Sequence, residues 1–158
     1  MTPSTSPSPS LRMQLRAGAH LQASLICRHF VDPADDPTIY RLYHQIFAPA
    51  FPTILPECRV VNVWWGDAGT YRESVELIAN NGDAPLVRAE TEFHLRDDGD
   101  YHHVVTILRD VALDPGTYWL RVSVDGSEVN RYPFYVVPLQ TNPNEPYSRQ
   151  ARQGRKEI

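Results

Sequence analysis

The stretch LDPGTYWLRVSVDGSEV, residues 113–129, decides the fold class of this chain. Its Pro115-Gly116 pair predicts a turn. Apolar side chains then occupy every second position, at Tyr118, Leu120, Val122 and Val124. That alternation is typical of a β-strand with one buried face. Asp125-Gly126 next predicts a tight type I′ turn, because both central positions of that turn need a positive φ. The stretch therefore predicts a β-hairpin.

The returning half of this hairpin is an extended run from Glu128 to Val137, rich in aromatic and β-branched residues. Pro133 lies within the run, and a proline cannot donate a hydrogen bond to a neighbouring strand. We therefore expect Val129 to Pro133 to form a bulge or to lie at the edge of a sheet.

Short extended runs separated by turns fill the middle of the chain, without any convincing helical period. The eight runs are HLQASLICRHFV, TIYRLYHQIF, CRVVNVWWG, YRESVELIA, PLVRAETEFHL, YHHVVTILRDVAL, TYWLRVSVD and EVNRYPFYVV. Asn81-Gly82 and Asp98-Gly99 carry the same hairpin chemistry as Asp125-Gly126. Strands at this spacing predict an all-β protein, a single antiparallel β-sandwich of about eight strands.

Residues 38–48 leave two interpretations open. The segment IYRLYHQIF fits a strand, and it also fits one and a half turns of helix. The helix would turn four apolar side chains inward: Ile39, Leu42, Tyr43 and Ile46.

The composition indicates one domain between two tails. A chain of 158 residues with 42% hydrophobic residues can form a core without disulfide bonds. Residues 1–10 are almost wholly Ser, Thr and Pro, and we expect them to be disordered. Residues 140–158 contain turn-forming residues followed by basic ones, and we expect a flexible basic tail. The β-sandwich domain is predicted over residues 11–139.

Charge and cysteine content limit the partners and the compartment. The net charge is −4 although the C-terminal tail is basic, so the rest of the chain is more acidic still and repels nucleic acid. The start, MTPSTSPSPS, has neither a cationic region nor an apolar one, so we expect no signal peptide and no membrane contact. Cys27 and Cys58 lie in apolar stretches and are expected as buried free thiols of a cytoplasmic protein.

Four segments in order resemble a family of small, functionally uncharacterised bacterial β-sandwich proteins. They are LICRHFVD, IYRLYHQIFAPAFP, VVNVWW and LDPGTYWLRVSVDGSEVNRYPFYV, and the resemblance covers residues 20–137. The last segment is also similar to the penultimate strand of immunoglobulin-like sandwiches, in which a Pro-Gly turn leads into a strand that a tyrosine opens. The resemblance implies an immunoglobulin-like fold and no activity, cofactor or functional residue.

The segment ETEFHLRDDGDYHHVV holds the candidate metal ligands. A two-residue turn at Asp98-Gly99 places His94 opposite His103, on the face that also carries Glu92. Two imidazoles and a carboxylate are zinc ligands. A shift of one residue brings His102 there instead, and no further ligand has the right spacing. We therefore expect solvent-facing histidines and no metal or other cofactor, with a small metal-binding protein or a metal-dependent hydrolase that uses His94, His103 and Glu92 as the alternative.

Catalytic motifs do not occur in the sequence. There is no Gly-x-Ser-x-Gly elbow, no cysteine in a catalytic motif and no glycine-rich phosphate loop. The paired carboxylates Asp35-Asp36 and Asp97-Asp98 fall in predicted turns, where aspartate bonds the local backbone. We therefore expect that the protein is not an enzyme.

Tryptophans are the candidate contact residues. Trp64 and Trp65 are adjacent in a strand and must point to opposite faces. Trp119 alternates with the inward set that begins at Tyr118, so it is expected to face outward beside Arg121. Tryptophan and arginine are enriched at the energetic centres of interfaces. The sequence therefore predicts a protein that acts by contact with another protein or with a second copy of itself. Ligand or carbohydrate binding by the tryptophan rings is the second alternative.

Overall fold

The computed structural model describes most of the chain. The described residues are 17–31, 37–55, 57–82, 84–97 and 99–139, without the side chain of Tyr40. The two predicted tails, 1–10 and 140–158, lie wholly outside this part, and so do residues 11–16 at the start of the predicted domain.

The described residues form eleven strands and no helix, so the all-β prediction is confirmed. The strands are β1 (Ala19–Val31), β2 (Thr38–Leu42), β3 (Gln45–Ala48), β4 (Thr53–Ile54), β5 (Cys58–Gly66), β6 (Gly69–Ala79), β7 (Pro85–Leu95), β8 (Asp100–Leu108), β9 (Ala112–Leu113), β10 (Gly116–Val124) and β11 (Ser127–Pro138). The prediction of a single sandwich with about eight strands is too simple. Two predicted runs each divide into two strands, into β2 and β3 and into β8 and β9, and the two-residue strand β4 lies outside every predicted run.

Three sheets contain these strands. One is four-stranded, with the order β2-β1-β5-β8 and antiparallel pairing throughout. A second is five-stranded, with the order β3-β11-β10-β6-β7, and only its β3-β11 pair is parallel. Strands β4 and β9 form a separate antiparallel pair.

The core lies between the two larger sheets, because each sheet turns one apolar face toward the other. The larger core cluster joins Val60 of β5 to Leu77 of β6 and Leu120 of β10. A second cluster joins Trp64 of β5 to Phe93 of β7. Burial of these side chains is the main favourable term that holds the sheets together.

The opening hairpin forms as predicted between β10 and β11. The turn residues Asp125 and Gly126 have φ values of 48° and 81°, the left-handed conformations that a type I′ turn requires. Val129 has no partner, because Val122 pairs with Asn130 and Ser123 pairs with Glu128. The predicted bulge therefore lies at Val129.

The join between β7 and β8 differs from the prediction. Strand β7 pairs with β6 in the five-stranded sheet, and β8 pairs with β5 in the four-stranded sheet. The turn at Asp98-Gly99, of which only Gly99 is described, therefore crosses between sheets, and the predicted hairpin is wrong there. Alternation shows that each strand has one buried face, but it does not show which strand lies beside it. The Asn81-Gly82 hairpin, between β6 and β7, is confirmed.

Residues 38–48 are extended, so the helical interpretation is wrong. Arg41 has a φ of 56°, and close to this residue the extended segment is interrupted and divides into β2 and β3. The dipeptide Tyr43-His44 between them is bonded to both larger sheets. The Tyr43 N–H donates to the Ile26 carbonyl of β1 at 2.8 Å, and the Tyr135 N–H of β11 donates to the His44 carbonyl at 3.4 Å.

Candidate contact surfaces

The outer face of the four-stranded sheet carries aliphatic side chains. The register places Leu25, Val61 and Val105 in one row across β1, β5 and β8. Paired residues of antiparallel strands point to the same side of the sheet. We call six of the side chains on this side the aliphatic face: Ala23, Leu25, Val61, Val63, Val105 and Ile107. None of the six belongs to either core cluster.

Exposure across the aliphatic face rises toward the sheet edge. Val61 in the central strand is 1% exposed, whereas Ile107 in the edge strand β8 is 47% exposed. Ala23, Leu25, Val63 and Val105 are half-buried. A contiguous apolar patch that reaches the surface in this way is a feature of interaction sites.

Aromatic and charged side chains flank the aliphatic face. At one end the rings of His20 and Trp65 lie 5.0 Å apart. At the other end Arg59 donates to the Arg28 carbonyl at 2.7 Å and contacts the Glu57 carboxylate at 3.1 Å. The face is therefore bordered by rings at one end and by an ion pair at the other.

The outer face of the five-stranded sheet is charged instead. Glu76 of β6 is only 3% exposed and lies between two arginines. Arg121 of β10 donates to one oxygen of its carboxylate at 2.6 Å, and Arg88 of β7 donates to the other at 3.4 Å. Because the register aligns these residues across three neighbouring strands, the three side chains form one ion-paired row.

A groove of about 290 Å³ adjoins this row. Ser74 and Ser123 pair across β6 and β10 and line it together with charged side chains. The carboxylates in the groove have arginine partners: Glu90 accepts from Arg88, and Glu128 accepts from Arg131 at 2.8 Å. The hydrogen bond from Arg131 lowers the pKa of Glu128. The carboxylates of Glu76, Glu90 and Glu128 are therefore paired with arginines of the same chain.

Trp119 and Arg121 lie on this charged face, as the alternation in β10 predicts, and both are half-buried. The Trp119 indole N–H donates to the Asn80 side-chain oxygen at 2.9 Å, while Arg121 is bonded to Glu76. Their polar groups are thus bonded within the chain, and their role in a contact stays a prediction.

Trp64 is fully buried, so its predicted contact role is wrong. Its position in β5 points it between the sheets, where its ring stacks on Phe93 with centroids 5.3 Å apart. Trp65 points outward, as its neighbour's position requires, and is half-buried. The three tryptophans therefore lie in three separate places and share no common site, and ligand or carbohydrate binding by Trp65 or Trp119 stays a prediction.

A buried glutamate, Glu73, accepts the indole N–H of Trp64 between the sheets. Thr106 donates to its other carboxylate oxygen at 3.3 Å, and Asn62 lies beside it. Burial raises the pKa of Glu73, against smaller opposing effects of these three neighbours. The side chain of Asn62 makes no hydrogen bond of normal geometry. The sequence indicated the burial of Glu73 only through its position, since residues two apart in a strand face the same side and Glu73 therefore shares its face of β6 with Val75.

The histidines and carboxylate of the metal alternative do not converge. His94 and Glu92 point outward from β7, where the His94 ring bonds to Thr70 at 2.8 Å and lies 3.7 Å from the Glu92 carboxylate. His103 lies on the outer face of the opposite sheet, in the row of Val63. Within the described ranges no group of three or more His, Cys, Asp or Glu side chains could hold a metal ion.

Both cysteines are free and buried, as predicted. Burial raises the pKa of the Cys58 thiol to about 11, and burial also raises the pKa of Cys27. Since the thiolate is the reactive form, neither side chain is suited to act as a nucleophile at neutral pH.

The described residues define a class of protein: an all-β domain in which two larger sheets enclose the core. The chain belongs to a family of unknown function, DUF6941, whose sequence model matches residues 22–137. No curated protein matches the chain. Among solved structures, a β-glucosidase from Kluyveromyces marxianus is 17% identical, with a TM-score of 0.42. That match covers 56% of this chain and 15% of the glucosidase chain, and it carries no argument about function.

The described part of the chain contains no helix of the length and apolarity needed to cross a membrane.

Proposed function

We propose that this protein is a non-catalytic β-sandwich that acts by binding another protein through the aliphatic face. The observation that carries the proposal is the row Leu25, Val61 and Val105, which turns aliphatic side chains away from both core clusters. Val61 is already covered, but Leu25 and Val105 are half-buried and Ile107 beside them is 47% exposed, so a partner that covers these three side chains removes apolar area from water.

The chemistry of the face defines the partner surface that fits it. Its centre needs aliphatic or aromatic side chains, because the six members of the aliphatic face carry no polar group. At the Arg59 end, Arg109 is largely exposed and contacts Glu57 and Asp110 only at 3.8 Å. An acidic group of the partner fits there. Trp65 at the opposite end adds an aromatic contact of the type enriched at interfaces.

The outer face of the other sheet is the weaker candidate for the main contact. Trp119 and Arg121 would have to exchange bonds to Asn80 and Glu76 for bonds to a partner. Such an exchange contributes little to the free energy of binding, since one hydrogen bond is lost for each one made.

We further propose an immunoglobulin-like relationship and a cytoplasmic location. The first is supported by Tyr118, whose hydroxyl accepts the Asp114 N–H and donates to the Asp114 carbonyl, both at 2.9 Å. A tyrosine bonded to the backbone a few residues upstream is a feature of immunoglobulin-like sandwiches. The second is supported by the free thiols of Cys27 and Cys58, which are typical of a reducing compartment.

A pair of variants on opposite faces tests the proposed function. Val63→Glu places a carboxylate in the aliphatic face, and Trp119→Ser alters the charged face. Partners captured by the wild-type protein are identified, purified and titrated against each folded variant by calorimetry. We expect Val63→Glu to weaken binding at least tenfold and Trp119→Ser to leave it within a factor of about two. Equal binding by Val63→Glu and the wild type, or no direct binding partner, would overturn the proposal.

A further inference from the structure

Among the described strands, β2, β3, β7 and β8 lie outermost in the two larger sheets, and they differ in how they are protected. Strands β2 and β3 have five and four residues, so they offer short edges. Strand β7 is long, but it begins with Pro85, has a register shift near that end and carries Arg88, Glu90 and Glu92. Short edges, proline, irregular pairing and charge are the devices that prevent a strand from pairing with another chain.

Strand β8 lacks these devices, apart from the charge of Asp100 at its first position. It has nine residues, and its pairing with β5 is regular over its whole length. Its sequence from Tyr101 to Leu108, YHHVVTIL, contains no Lys, Arg, Asp, Glu or Pro. Tyr101 and Ile107 on its outward side are about half exposed. A long, regular and uncharged edge of this kind is a template for a further strand.

We propose that two copies of this chain pair edge to edge through antiparallel β8 strands, so that the four-stranded sheets join into one continuous sheet. A two-fold axis perpendicular to the sheet keeps the outer side of each copy on the same side. The two aliphatic faces therefore become one. This inference goes beyond the proposed function, because it names a second copy as a partner and an edge as the site.

The charges at the two ends of β8 favour the antiparallel arrangement with a second copy. Asp100 begins the strand and Arg109 directly follows its last residue. Antiparallel pairing brings the start of one strand beside the end of the other, so each Asp100 comes near the Arg109 of the other copy. A parallel arrangement would bring like charges together. The uncharged centre of the strand has no like charges to oppose one another.

Matched lysine variants test the edge. Ile107 on β8 and Leu86 on the protected β7 are 47% and 48% exposed, so a lysine at either position disturbs the core equally little. Sedimentation equilibrium of the purified full chain, without any partner, gives the mass. We expect the wild type and Leu86→Lys to have the mass of two chains at micromolar concentration, and Ile107→Lys to have the mass of one.

Cysteine variants separate edge pairing from stacking of the aliphatic faces. Val105 lies on β8, near the centre of the strand, and Val63 lies one strand inward on β5. Edge pairing brings the two copies of Val105→Cys close enough for a disulfide and keeps the two copies of Val63→Cys apart. The natural cysteines are both buried. We expect an oxidised dimer on a denaturing gel for Val105→Cys alone.

Three results would overturn the inference: a wild-type chain that stays a single chain at high concentration, a dimer that Ile107→Lys leaves intact, or equal cross-linking of Val63→Cys and Val105→Cys. The first result leaves the binding of another protein standing, because that proposal is measured on partner titrations. The opposite case also separates the two proposals: Val63→Glu would then lose partner binding and keep the mass of a dimer.

Discussion

Two buried glutamates three residues apart on β6 are held in opposite ways. Glu73 points into the space between the sheets, where neutral groups of Trp64 and Thr106 donate to it. Glu76 points outward and is held by the guanidinium groups of Arg121 and Arg88. Because three residues along a strand change the face, the same residue type meets an apolar core on one side and an ion-paired row on the other.

The difference lies in the groups that surround each carboxyl group. An arginine beside a carboxylate stabilises the charged form, whereas burial without a cation disfavours it. Burial raises the pKa of Glu73, so the core favours its neutral acid. Glu76, next to two cations, is a structural ion-pair partner. Substituting the two glutamates therefore tests separate interactions.

Removing the ion-paired carboxylate is expected to have the largest effect. Glu76→Ala removes the carboxylate that joins Arg121 and Arg88, and of these two arginines Arg88 keeps its contact with Glu90. Loss of one member of a buried ion pair costs roughly 3–5 kcal/mol, but the arginine side chains are 25% and 53% exposed and can reach water. We expect a loss of about 2 kcal/mol in the free energy of unfolding, measured in urea. A loss below about 0.5 kcal/mol, the scale of an exposed pair, would contradict the buried row.

Neutralising the core carboxylate is expected to stabilise the protein at high pH. Folding raises the pKa of Glu73 above its usual 4.5, so the stability that depends on its protonated form is complete below that pH. That stability is lost as the pH rises through the raised value. Glu73→Gln keeps a neutral group at every pH. Its amide can also donate to Asn62, a hydrogen bond worth about 1 kcal/mol.

The measurement for Glu73→Gln is the free energy of unfolding from pH 4 to pH 9, compared with that of the wild type. The difference should grow in favour of the variant as the pH rises. Parallel curves for the two proteins would show that Glu73 does not take up a proton on folding.

The outer arginine of the row is expected to contribute least. Arg88 lies 3.4 Å from Glu76 and its side chain is more exposed than that of Arg121, which still pairs with Glu76 when Arg88 is removed. Arg88→Gln should therefore cost about 0.5 kcal/mol, and 0.5 M salt should remove most of that difference. A cost equal to that of Glu76→Ala would mean that Arg88, and not Arg121, holds the buried carboxylate.

The sequence was sufficient to predict the strands and the faces that are determined by alternation. The inward set of β10 and the turn at Asp125-Gly126 follow from local pattern, and the structure has both. The pairing of the strands was harder to predict, because an alternation with a period of two residues does not show which strand lies beside which. The turn after β7 looks like a hairpin and crosses between sheets instead, and this error also produced the metal alternative.

The candidate contact surfaces could likewise be predicted from the sequence only in part. Trp119 and Arg121 stood out by residue type, and alternation placed them outward correctly. The aliphatic face was missed because three strands that are distant in sequence contribute it, so no single segment reveals it. A strand such as CRVVNVWWG, with apolar residues on both faces, was the available signal, since it indicates that neither side of the sheet is simply polar.

The Tyr43-His44 dipeptide has a mechanical consequence. It is bonded to β1 on one side and to β11 on the other, so the two sheets cannot slide past each other without breaking backbone hydrogen bonds. Shear between the layers of the sandwich is thereby resisted at one margin by the chain itself. We expect the amide hydrogens of Tyr43 and Tyr135, which donate the two bonds of this link, to be protected from exchange with solvent.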